Sequence, residues 1–133
     1  MNEMSVVEII TEWDIVAARQ LGRNEAKVLG FGTVDQARIT TAISELARNI
    51  YLYANIGIIE IGRVETKDER KIVVVASDKG PGISDIREIM VGNYMKAEGL
   101  GAGLLGVKRL MDTMDVQSVV GEGTIIRTEK WLR

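Results

Sequence analysis

The chain has no cysteine, no histidine and a single proline. Without cysteine there is no disulfide framework, no thiolate nucleophile and no thiolate zinc site. Without histidine there is no imidazole acid–base catalysis, no Ser-His-Asp triad and no phosphohistidine intermediate on this chain. A net charge of −2 gives no global attraction to nucleic acid or to an anionic membrane. No apolar run approaches the roughly 20 residues that span a bilayer. The start, Met1-Asn2-Glu3-Met4, lacks the basic and apolar regions of a secretory signal, so the cytoplasm is the expected compartment. Chemistry is left to carboxylates, amides, hydroxyls, Lys, Arg or a recruited ion. The 133 residues carry no repeat or linker and fit a single domain over 1–133.

What is present centres on Asp78-Lys79-Gly80-Pro81-Gly82, directly after the β-branched run Ile72-Val73-Val74-Val75-Ala76. Glycine permits positive φ and close backbone approach, and proline fixes its own φ. A carboxylate at the mouth of a strand can accept a hydrogen bond from a group entering over the strand end. Taken alone, D-x-G-x-G is equally a tight loop with a capping Asp.

The patterning around this turn predicts a strand over residues 5–11, then a helix from Asp14 as N-cap to Leu29, stopped by Gly30. Arg19, Arg23 and Lys27 recur at i, i+4, i+8 as a basic stripe, either a solvated face or a docking surface for an acidic partner. Thr33 with Gln36 reads as a capping box opening a long helix to about Ala54. Ile39, Ala42, Ile43, Leu46, Ile50 and Tyr53 form its apolar stripe; Arg38, Thr41, Glu45 and Asn49 form a polar one. Glu45 and Asn49 are i, i+4 neighbours whose oxygens can converge on one cation.

Residues 58–65 and 71–77 read as an antiparallel hairpin, and residues 114–120 and 124–132 as strands around Gly121-Glu122-Gly123. A short helix over 84–90, a mobile loop over 91–98 and a glycine-rich loop over 99–106 opening a helix are expected between them. Backbone N–H groups at such a helix start suit an anion. Gly101 to Gly106 also matches G-x-G-x-x-G, but no strand precedes it, and no Gly-Lys-Ser/Thr closes a Walker loop.

Four motifs in order resemble those of the GHKL (Bergerat-fold) ATPases: Glu45-Leu46-Ala47-Arg48-Asn49, Asp78-Lys79-Gly80-Pro81-Gly82, Gly99 through Gly106, and Gly121-Glu122-Gly123-Thr124. The resemblance implies an α/β two-layer sandwich, with a mixed, mostly antiparallel sheet, helices on one face, and ATP between helices and lid. It implies that Asp78 accepts the adenine amino hydrogen and that Gly80 and Gly82 let the base approach. Asn49 would hold Mg²⁺, and Gly99, Gly101, Ala102 and Gly103 would bind phosphate through the backbone. Thr124 would complete the nucleotide site, and Glu45 would be the catalytic carboxylate.

Residues 11–23, Gly99-Leu100-Gly101-Ala102-Gly103 and the Lys-Trp-Leu-Arg end look most like the serine/threonine switch kinases of the bacterial stressosome. That resemblance implies phosphorylation of STAS-domain scaffold and antagonist proteins. It also implies activation of a PP2C-type phosphatase, with Arg19, Arg23 and Lys27 as the docking stripe. The alternative is a nucleotide-gated binding switch with little phosphoryl transfer; a third reading is a histidine-kinase catalytic domain acting in trans.

Overall fold

A computed structural model of the chain describes residues 4–83 and 98–133. The elements are β1 (Met4–Ile9), α1 (Glu12–Leu29), α2 (Thr33–Asn49), a π turn (Ile50–Ala54), β2 (Gly57–Glu65), β3 (Arg70–Asp78), α3 (Glu98–Leu110), β4 (Thr113–Val119) and β5 (Gly123–Trp131). The strands form a five-stranded sheet of order β1-β2-β3-β5-β4. Every pairing among the described strands is antiparallel, including the β2–β3 hairpin that the sequence pattern indicates. The two-layer α/β expectation holds, and the sheet anticipated as mostly antiparallel is antiparallel at every described pairing.

Alternation along the strands decides which face the helices cover. Ile59 and Ile61 of β2, Ile72, Val74 and Ala76 of β3 and Ile126 of β5 enter the core with Ala18, Ala26, Ile39, Ile43, Leu46, Leu104 and Val107 from the helices. Asp78 and Thr124 fall on this same face by period 2 and are register partners at the strand ends. The strand period thus aims both polar groups at the helix layer rather than at open solvent.

Helix ends depart from the sequence reading in instructive ways. The N-cap of α1 is Thr11, not Asp14. Asp14 lies in the first turn, where its Oδ2 accepts from the Ile10 and Thr11 N–H groups at 2.9 and 2.8 Å. Its C-cap is Gly30, at φ 106°, as the sequence signals.

The capping box expected at Thr33 and Gln36 is not formed. Gly32 caps α2, and Gln36 Nε2 donates to the Phe31 carbonyl at 2.7 Å. The α-helical hydrogen bonding stops at Asn49, and residues to Ala54 form the π turn, so the long helix expected to continue to Ala54 is shorter. Of its apolar stripe, only Tyr53 is substantially exposed. The helix expected over 84–90 and all but the last residue of the loop expected over 91–98 lie outside the described residues; that last residue, Glu98, opens a helix instead.

The C-terminal half of the glycine-rich segment is also recast. Helix α3 begins at Glu98, so Gly99 through Gly106 lies inside a helix instead of forming a loop before it. At its far end Lys130 Nζ, on a side chain largely withdrawn from solvent, donates to the Leu110 carbonyl at 2.9 Å. A cation there satisfies an orphan carbonyl and complements the helix dipole. Lys130 thereby ties α3 to β5.

Candidate active site

The site assembles where α2, α3 and the ends of β3 and β5 meet. Asn49 closes α2 immediately before the π turn, a distortion that recurs at functional sites. Asn49 is 8 % exposed, and its Nδ2 is buried without a hydrogen-bond partner among the described residues. A buried amide left unpaired costs on the order of 1–3 kcal/mol, which marks Asn49 as a candidate site residue. The sequence placed Asn49 on a polar stripe; the fold buries its C-terminal end, Asn49 with half-buried Glu45, and leaves Arg38 and Thr41 exposed.

Glu45 stands one turn before Asn49, and α3 crosses both. A Cβ added to buried Gly103 would stand 3.1 Å from Glu45 Oε2 and 3.3 Å from Asn49 Oδ1. Glycine at this position is what lets the α3 backbone reach the carboxylate and the amide. Gly103, Glu45 and Asn49, expected together from motifs nearly sixty residues apart at roughly helical and loop positions, are therefore neighbours. Gly99, Gly101 and Ala102 lie in the first turns of α3, the end that carries free N–H groups.

The second half of the site is built on Asp78. Its Oδ1 accepts the Gly80 N–H at 2.9 Å, which fixes the carboxylate and curls the chain into the turn. A Cβ on Gly80 would meet Ala54 Cβ at 2.7 Å, so the turn is pressed against the π turn. Gly82 has φ 78°, and a Cβ there would strike the Val119 carbonyl. Both glycines are required by close approach of backbone.

Thr124 is 8 % exposed, and its Oγ1 lies 2.8 Å from Ser118 Oγ. Ser118 Oγ also accepts the Ile83 N–H at 2.8 Å and lies 3.2 Å from the Gly123 carbonyl. Gly123, at φ 135°, packs its α-carbon against the Asp78 carbonyl and Lys79. Ser118, Ala54 and the packing of Gly123 were missed by sequence reasoning. A serine in an amphipathic strand carries no signal of its own.

A cavity of about 920 Å³ is lined by Glu8, Ile58, Ser77, Gln117 and Ile125, alternate strand residues that face away from the helices, and also by Asp78 and Thr124 at the strand ends.

The basic stripe is exposed throughout: Arg19, Arg23 and Lys27 all face solvent. Arg19 adjoins a groove of about 370 Å³ lined also by Trp13, Val16, Arg48, Tyr51 and Leu52. Trp13 is 80 % exposed.

An antiparallel sheet covered on one face by helices, a buried amide beside a carboxylate, and an Asp–Gly turn at a strand end define a nucleotide-binding ATPase domain. Residues 34–133 match the histidine kinase-, DNA gyrase B- and HSP90-like ATPases, and the chain belongs to that family. It is 64 % identical over 133 residues, all of both chains, to the serine/threonine-protein kinase RsbT of Bacillus subtilis. It is 36 % identical over 102 residues to an anti-sigma F factor of Caldanaerobacter subterraneus, covering 72 % of this chain and 70 % of that one. The fold is shared with the SiaB–SiaC complex structure from Pseudomonas aeruginosa at TM-score 0.61 and 15 % identity, over 99 % of this chain and 89 % of that chain.

Proposed function

We propose that the chain is an ATP- and Mg²⁺-dependent protein serine/threonine kinase that switches between partners. The observation that carries the reading is the unpaired, buried Asn49 amide set against Glu45 and Gly103. Identity to RsbT over the whole length supports the kinase assignment.

Asp78 is assigned to the adenine amino group and Thr124 to the same base, with Gly80 and Gly82 giving the base access to the backbone. Gly99, Gly101, Ala102 and Gly103 are assigned to the phosphates through α3's N-terminal half. Asn49 fits a hard divalent cation through its amide oxygen. Among the described residues no group of three or more carboxylates stands by, so phosphate oxygens and water would complete the shell. Such an ion neutralises charge on the phosphates.

The incoming serine or threonine oxygen forms a bond to the γ-phosphorus, the bond to the ADP oxygen breaks, and the hydroxyl proton passes to Glu45. Phosphoryl transfer depends mainly on positioning and charge neutralisation, so a carboxylate suffices without histidine.

The acceptors are assigned as STAS-domain scaffold and antagonist proteins, and the second partner as a PP2C-type phosphatase met through Arg19, Arg23 and Lys27. Arg19 leads into the Trp13–Arg48 groove, and exposed Trp and Arg side by side are the residue types that dominate binding energy. No helix among the described residues is long and apolar enough to cross a membrane, in keeping with a cytoplasmic role.

The test is label transfer from γ-labelled ATP to a purified STAS-domain protein, with and without Mg²⁺. Metal-dependent, acid-stable label on Ser or Thr that Glu45→Ala loses, while still binding ATP, is the expected result. ATP binding without any label would overturn the kinase reading in favour of a nucleotide-gated binding switch.

A further inference from the structure

Thr124 and Asp78 stand side by side at the strand ends, but a threonine hydroxyl can either donate to a ligand or accept from it. Which of the two it does depends on where its proton is held. Ser118 decides this. Its Oγ receives the Ile83 N–H at 2.8 Å, a bond in which it can only accept. It lies 3.2 Å from the Gly123 carbonyl, which can only accept, so the single Ser118 proton goes there. The remaining contact, 2.8 Å to Thr124 Oγ1, admits either oxygen as donor, and with the Ser118 proton on the Gly123 carbonyl the donor is Thr124. With its proton committed, Thr124 turns only lone pairs toward the pocket, beside a carboxylate that likewise only accepts.

We propose that Ser118 is a positioning residue that sets nucleobase selectivity by holding Thr124 as a hydrogen-bond acceptor. Two adjacent acceptors favour a purine edge that offers an amino group and disfavour one that presents a carbonyl oxygen. A site built around buried acceptors leaves them unpaired when the wrong edge enters, which is how hydrogen-bonding pockets discriminate. This inference rests on the assignment of the base to Asp78 and Thr124.

The same serine also braces the turn through Ile83, so its loss would weaken nucleotide binding in general. A selectivity ratio separates the two effects. Inosine triphosphate carries a carbonyl in place of the 6-amino group of ATP and an N1–H in place of its bare N1, so the edge facing Asp78 and Thr124 inverts at the amino position, and both affinities can be measured by calorimetry on the full chain. In Ser118→Ala the Thr124 proton is free to donate, and the preference for ATP over inosine triphosphate should shrink about tenfold, with Ser118→Thr restoring it.

An unchanged ratio in Ser118→Ala, even with both affinities reduced, would leave Ser118 a brace only and overturn the proposal. If the alanine variant does not melt cooperatively, Ser118→Cys, a weak acceptor of similar size, should narrow the ratio in the same direction; an unchanged ratio there overturns it equally. Asp78→Asn distinguishes the two levels. Loss of ATP binding there beside an unchanged Ser118→Ala ratio removes Ser118 alone, whereas retained ATP preference in Asp78→Asn removes the base's placement and this inference with it.

Discussion

At the scale of single residues, hydrogen bonds to charged groups leave a signature in pH. The Asp14 carboxyl is held below its usual range, chiefly by the Thr11 N–H and then by the Ile10 N–H. A carboxyl whose folded value is depressed contributes stability above its unfolded value, near pH 3.9, and that contribution is lost as pH falls through the folded value. The melting temperature of the wild type should therefore exceed that of Asp14→Asn at neutral pH, by a gap that is flat above about pH 5 and closes on acidification below about pH 4. A gap that persists at low pH would assign the effect to shape rather than charge. The same residue shows how a local pattern is misread by a few positions. Asp14 is a capping residue, as its type announces, but from inside the first turn, because Thr11 takes the extended conformation that N-caps require.

At the scale of elements, the site depends on how closely α3 can lie against α2. Gly103→Ala places a methyl at a separation from Glu45 and Asn49 that ordinary contacts rarely reach, so one of those side chains must yield by a few tenths of an ångström. Misplacement of reacting groups by about 1 Å can cost 100-fold in rate. The expected outcome is a fall of about tenfold or more in single-turnover label transfer, with the melting temperature changed by no more than a few degrees. Transfer at the wild-type rate would remove Gly103 from the arrangement. The glycine cluster itself was plain in the sequence, but its meaning was not. It read as a loop because glycine disfavours helix, yet packing against α2 and the Lys130 cap at the far end hold α3 helical. Likewise the end of α2 was misread, because Ile50 and Tyr53 continue the helical period to about Ala54 although the α-helix stops at Asn49. The π turn after Asn49 is packed at Ala54 against Gly80, a contact that local sequence does not encode.

At the scale of the whole molecule, the nucleotide site and the basic stripe share α1 and α2 as a frame. Gly22 sits so near Ile43 that an added Cβ would collide with its Cδ1, and this close approach locks α1 to the helix bearing Glu45 and Asn49. Arg19, with Trp13 and Arg48 beside it, is thus displayed from the same helix pair that carries Glu45, the proposed catalytic carboxylate. Arg19→Glu should weaken binding to a PP2C-type phosphatase by tenfold or more while leaving ATP affinity unchanged, as measured by titration of each. Binding by Arg19→Glu and Arg23→Glu equal to that of the wild type would return the stripe to a solvated face.

The motifs, their order and the residue types within them were determined by sequence alone. With no cysteine or histidine, the proposed chemistry falls to Glu45, Asn49 and Asp78, and the strand and helix periods mark most elements. Only the tertiary structure decided which polar groups face one another. It buried Asn49 and left its amide unpaired, brought Gly103 of α3 onto Glu45, and joined Ser118 to Thr124 across the β4–β5 pair. The physical reason is that hydrophobic period fixes which face of an element is buried, whereas the meeting of two buried polar groups depends on how separate elements cross. Crossing is settled by close packing among residues far apart in the chain, and no single stretch of sequence contains it.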